Sequence, residues 1–167
     1  MKRLAAFDAA LTRLVENVMI ALFAIFLVIV VTKVLLRPFD QAIFGVDELV
    51  KIAFLTTSAL GGAVAIARRE HIAITFFIEA LPRPVTLGFY ILGLLLVALM
   101  NAVLFYLSFD WIAGPGGNRW QPFGMPQAYV FAVVPVACGL AVFFCFTRIA
   151  LVLAGAEATD RLWMPED

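Results

Sequence analysis

Four apolar runs, each about as long as a bilayer is thick, constrain this chain more than anything else in it. A helix needs about 20 consecutive apolar residues to cross a hydrocarbon core of ~30 Å. The runs over residues 14–36, 47–67, 85–109 and 127–154 reach that length. Helix is the conformation they permit: in lipid the backbone must satisfy its own hydrogen bonds, and none of the runs alternates as a barrel strand does. Hydrophobic residues make up 64% of the chain and charged ones 14%, against about 45–50% and 25% in a soluble domain. Lipid must therefore cover much of the surface. The chain reads as all-α and integral to the membrane, a single domain of four transmembrane helices over residues 1–167.

The basic residues set an expected orientation. With the N-terminal tail, the second loop and the C-terminal tail on one side, that side holds Lys2, Arg3, Arg13, Arg68, Arg69, Arg83, Arg148 and Arg161. The other holds Lys33, Arg37, Lys51 and Arg119. The bias favours both termini in the cytoplasm. Lys2, Arg3 and Arg13 also resemble the basic flank of a secretory signal. The run behind them is longer than the 7–15 residues of a signal core, however, and no A-x-A-like site follows, so it is expected to remain as the first span.

Between the second and third runs, His71, Thr75 and Glu79 recur every fourth position among Ile72, Ile74, Phe76, Phe77, Ile78 and Leu81. That pattern predicts a short amphipathic helix over 71–81, too short to span and suited to lying in the interface. Pro82 and Pro84 end it. On the opposite side, Trp111 and Trp120 bracket a Gly/Pro turn, a pattern for aromatic anchoring at the interface and also for contact with a soluble partner.

Few residues carry a case for chemistry. Glu16, near the start of the first run, is an ionisable group near the membrane and so a functional suspect. It lies three residues from Arg13 and near the inner surface, so it is expected to pair with Arg13 or reach the headgroups. Asp47 and Glu48 open the second run, where carboxylates complement the positive end of a helix, and Lys51 is within reach of both. Arg68 closes that run, where basic residues control topology. His71 is the only histidine, which excludes a bis-histidine haem within one chain and argues against zinc. No phosphate-binding loop or nucleophile constellation occurs. No enzyme activity, cofactor or metal is expected, and a net charge of zero gives no argument for nucleic acid. Cys138 and Cys145, seven apart in one run, read as small packing residues.

Ser58, Ala59, Gly61, Gly62, Ala63, Ala65 and Ala67 make the second run rich in small side chains. Small residues four apart let helices approach closely in lipid, so this helix is expected to pack against protein. Asn101 in the third run is expected to bond a neighbouring helix. Pro135 removes one backbone donor from the fourth run and predicts a kink. No pair of broken spans and no acid at mid-depth marks a substrate site of the kind stand-alone transporters build.

The order of these features resembles the small membrane subunit, DctQ type, of tripartite ATP-independent periplasmic (TRAP) transporters. The resemblance rests on Arg37 closing the first run, Val46-Asp47-Glu48-Leu49 opening the second, and Gly61-Gly62-Ala63-Val64-Ala65-Ile66-Ala67-Arg68 ending it. His71-Ile72-Ala73-Ile74, Leu81-Pro82, and Gly124-Met125-Pro126-Gln127-Ala128-Tyr129 leading to Pro135 complete it. Val46 stands where the family often has tryptophan. The resemblance implies a partner subunit of roughly twelve helices that holds the substrate and sodium sites and moves as an elevator. It also implies a periplasmic substrate-binding protein, and import of an organic acid across a bacterial inner membrane. The small subunit would be part of the fixed scaffold, with Arg37, Asp47, Glu48, Arg68, His71, Gly61, Gly62 and Pro135 in structural or subunit-interface roles. Two other readings remain at this point. One is a self-contained dimeric exporter resembling the small multidrug-resistance type, which would use Glu16; the other is a non-transport membrane assembly protein.

Overall fold

The computed structural model describes residues 2–39, 44–68, 83–119 and 124–154. Helix α1 runs Lys2–Leu36 and passes into a 3-10 turn, Arg37–Phe39. Helix α2 runs Val46–Arg68 and α3 runs Arg83–Ala113. A second 3-10 turn, Pro115–Gly117, leads towards the short α4, Ala128–Phe131, and then α5, Val133–Leu153. Four helical stretches are long and apolar enough to cross a membrane, with α4 and α5 together forming the fourth. The second-loop segment 71–81 and His71 lie outside the described residues.

Helix α1 is 35 residues long, or about 52 Å at 1.5 Å per residue. It therefore begins well ahead of the apolar run at residue 14. Nothing in Lys2–Arg13 breaks a helix, since Ala5, Ala6, Ala9, Ala10 and Leu11 are strong helix formers. At the far end, Pro38 cannot continue the ladder. Gly45 then adopts φ 81°, a left-handed conformation open to a residue without Cβ, and its carbonyl accepts the Leu49 amide 3.1 Å away. That turn starts α2 antiparallel to α1.

The helices form a row. Helix α1 packs on α2, α2 on α5 and α5 on α3, while α1 meets α5 only near its own start, where Phe7 and Asp8 reach Phe143, Thr147 and Arg148, and makes no substantial contact with α3. Most buried side chains gather at one end of the row, the end where α1 begins and α5 finishes, here called the terminal end. They include Val15 of α1, Leu60, Ala63, Val64, Ile66 and Ala67 of α2, Tyr90 and Ala98 of α3, and Ala141, Phe144, Cys145, Leu151 and Val152 of α5. Ala63, Ala67, Ala141 and Cys145 make the α2–α5 contact close enough for Phe144 to be completely buried among them. The packing role read for Ala63, Ala67 and Cys145 is what the structure shows, and both cysteines are unbonded and buried. Towards the other end, Phe23, Leu27, Val28 and Val31 of α1, Phe54 of α2 and Leu99, Val103 and Tyr106 of α3 are exposed. In lipid such faces cost nothing, because acyl chains are as apolar as the side chains they touch.

Pro135 is buried and breaks the fourth span. It has no amide hydrogen for the Phe131 carbonyl, and the helix is interrupted at Ala132, between α4 and α5, before Val136 resumes the ladder with a long 3.4 Å bond to Ala132. The backbone at Ala132 stays near helical values, φ −60° and ψ −19°, so the chain continues along the span.

Candidate functional site

The polar chemistry of the described residues is concentrated where helices meet. At the terminal end, Glu16 of α1 faces Arg68 of α2. The guanidinium donates from Nε to Oε1 and from Nη2 to Oε2, the latter at 2.7 Å. This two-pronged geometry matches a planar guanidinium to a carboxylate. The expected pairing of Glu16 with Arg13 is corrected: Arg13 is exposed, whereas Glu16 lies on the α1 face that meets α2. Arg68 thus does more than control topology, because it joins two spans.

Nearby, three further polar side chains are almost fully buried. Asp8 of α1 is 3% exposed, and Thr147 and Arg148 of α5 are 5% and 3%. The Thr147 hydroxyl donates to Asp8 Oδ1 at 2.8 Å, and Arg148 Nη2 lies 3.8 Å from Asp8 Oδ2. Arg148 also donates from Nη2 to the carbonyl oxygen of Ala67, one of the last carbonyls of α2, which have no partner within their own helix. A cation there also complements the negative end of that helix. Sequence reasoning counted Arg148 only as a topogenic charge and passed over Asp8. The available signal was an arginine preceded by an apolar run, since a charge within a span is rarely idle.

At the other end, Lys33 of α1 pairs with Asp47 of α2, and Lys51 stands 3.9 Å from Glu48, one turn away on the same helix. Asp47 and Glu48 occupy the first turn of α2, as read from the sequence. Lys51 reaches Glu48, but Asp47 turns to α1. Arg37 is exposed in the 3-10 turn beyond Leu36.

The two candidate glycines differ. A Cβ at Gly61 would come within 3.6 Å of Met19 Sδ on α1, an ordinary contact, whereas one at Gly62 would meet nothing within 4 Å. Gly61 therefore faces the interior of the row and Gly62 its surface. Asn101 differs from expectation. Its amide donates to the Val97 carbonyl of its own helix at 2.9 Å, because an i−4 acceptor is always at hand in a helix and no neighbouring helix need supply one. Thr56 and Thr57 do the same towards Ile52 and Ala53.

The Gly/Pro turn after α3 is folded back on the start of the fourth span. Gly116 is buried so close to Ala128 that a Cβ would fall 3.2 Å from its Cα. The Gln127 amide donates to the Asn118 carbonyl at 2.9 Å, and Trp111 meets Phe131 edge-on with centroids 6.0 Å apart. Trp111 remains 58% exposed, a ring with protein on one side and free on the other. Trp120 is outside the described residues.

No group of three or more potential metal ligands occurs among the described residues. The buried and half-buried charged side chains there, Asp8, Glu16, Glu48, Arg68 and Arg148, engage one another or Lys51 across and along helices. Such an arrangement holds helices together. The family model described as "Tripartite ATP-independent periplasmic transporters, DctQ component" matches residues 26–155, which take in the later part of the first span and the whole of the other three. No curated protein matches the chain. Over most of its length, then, from within α1 to the end of α5, this four-span chain belongs to the DctQ family of TRAP transporter small subunits.

Proposed function

We propose that this subunit is the static brace of a sodium-coupled importer of an organic acid, with substrate and sodium bound by a large membrane subunit and the substrate delivered to it by a periplasmic binding protein. The observation that carries the reading is the fate of the charged groups: of the buried and half-buried ones among the described residues, Asp8, Glu16, Arg68 and Arg148 are engaged between helices and Glu48 within α2, which favours rigidity over solute binding. Both termini lie in the cytoplasm of a bacterial cell on this reading, and the segment 71–81 rests in the cytoplasmic face of the inner membrane. The turn at Gly116 and the exposed rings of Trp111 and Tyr129 then face the periplasm, where they help receive the binding protein. Pairing with Arg68 leaves Glu16 poorly suited to the exporter reading, which needs a free carboxylate that binds and releases protons.

The test is reconstitution. The chain is co-expressed with a large TRAP membrane subunit, purified in mild detergent and placed in vesicles with the binding protein outside. A stable two-subunit complex and sodium-dependent uptake that need all three proteins are the expected result. Uptake by this chain alone, or full uptake without it, would overturn the proposal.

A further inference from the structure

Helix α1 has an unusual position among the spans. Its most apolar stretch contributes no buried residue, against 28% of the corresponding stretch of α2 and 39% of that of the fourth span. It lies at the flank of the row, and α2 is its main neighbour. In water the hydrophobic effect would hold such a helix. In lipid it cannot, because moving a leucine from acyl chains to a helix face gains little. An antiparallel pair of apolar helices can then slide by a turn at small cost unless something polar fixes it.

Polar groups do join the pair, and they stand at both ends. Glu16 meets Arg68 at the terminal end, and Lys33 meets Asp47 at the other. From Glu16 to Lys33, α1 rises ~26 Å, and from Asp47 to Arg68, α2 rises ~32 Å. The two lengths fall either side of the ~30 Å hydrocarbon core. Thr56 and Thr57, between the two pairs on α2, are satisfied within that helix and make no competing tie; Arg148 links Asp8 of α1 to the Ala67 carbonyl only through α5 and is left intact in every variant used to test the register. A slip of one turn would move both carboxylates ~5 Å from their cations and draw charge towards the hydrocarbon, which is costly. The charge order also differs between ends: α1 offers the acid at the terminal end and the base at the other, so the pairs cannot form in a parallel arrangement.

We propose that Glu16–Arg68 and Lys33–Asp47 form a register lock, positioning residues that fix α1 on α2 and hold the pair at one depth in the bilayer. This stands apart from the bracing role and is tested on the chain alone. Met19 and Gly61, which face each other, provide the reporter. With Cys138 and Cys145 replaced by alanine, Met19→Cys with Gly61→Cys reports native register by disulfide formation in membranes. Met19→Cys with Thr57→Cys reports a slip of one turn. Glu16→Gln with Asp47→Asn is expected to lower the native cross-link about threefold or more, on the scale of polar helix contacts in bilayers, and to raise the slipped one. The exchanges Glu16→Arg with Arg68→Glu, and Lys33→Asp with Asp47→Lys, keep each pair and are expected to restore the native cross-link. An unchanged pattern in the neutralised chain overturns the lock. If that chain fails to accumulate, the exchanged chains decide: native cross-linking supports the lock, and its loss in both overturns it.

Discussion

Arg148 of α5 reaches across to the carbonyl oxygen of Ala67, near the last turn of α2, while lying 3.8 Å from the Asp8 carboxylate of α1. One side chain thus meets the backbone end of a second helix and the acid of a third. Its burial, 3% exposed, makes the arrangement all-or-none: a cation so enclosed is tolerable only with its partners in place.

Removing one side of this contact therefore costs more than removing both. Arg148→Met and Asp8→Ala should each destabilise the subunit by roughly 3–5 kcal/mol, and the double variant by clearly less than their sum, as for other buried pairs. Thermal unfolding in detergent, run as a double-mutant cycle, measures the difference. Additive losses would show that Asp8 and Arg148 act separately.

Thr147→Val keeps the shape of the side chain and removes the hydroxyl that donates to Asp8. A lost hydrogen bond to a charged group costs about 1.5–3 kcal/mol. Thr147→Ser, which retains the donor, should recover most of it in the same unfolding assay.

The small residues of α2 should divide by the side they face. Ala67 is fully buried against α5, so Ala67→Leu overfills the contact and should cost about 1–3 kcal/mol. Gly62 has open space around it, and Gly62→Ala should be neutral or stabilising for the isolated subunit by up to ~1 kcal/mol, through helix propensity. A Gly62→Leu variant that is stable alone but fails to co-purify with a large subunit would place that surface in the complex.

Gly116→Val tests the turn after α3. The space where its Cβ would sit already holds Ala128, so the turn must shift away from α4. With Trp120 and Trp163 replaced by phenylalanine, the emission of Trp111 should change as its edge contact with Phe131 is disturbed. Unchanged emission would mean that the turn absorbs the side chain without moving.

The spans were legible because a bilayer imposes a length that sequence displays directly. The packing face of α2 was legible too, since Ala63 and Ala67 repeat at helical spacing. The partner of Glu16 was not. Arg13 is its neighbour in sequence, whereas Arg68 becomes a neighbour only once α1 and α2 are set antiparallel in one register. Asp8 with Thr147 and Arg148 joins the first helix to the last, a contact that no local pattern encodes. Asn101 failed in the opposite sense: a nearby backbone carbonyl satisfied it before any distant group was needed.

The row in which α1, α2, α5 and α3 stand has a consequence for traffic. A fence has two broad sides, so on the reading of a brace without a solute site of its own, whatever crosses the membrane with its help travels beside it. Each broad side is also a place where another polypeptide can lean, which gives a chain of this size more supporting surface than a closed ring of four helices would present.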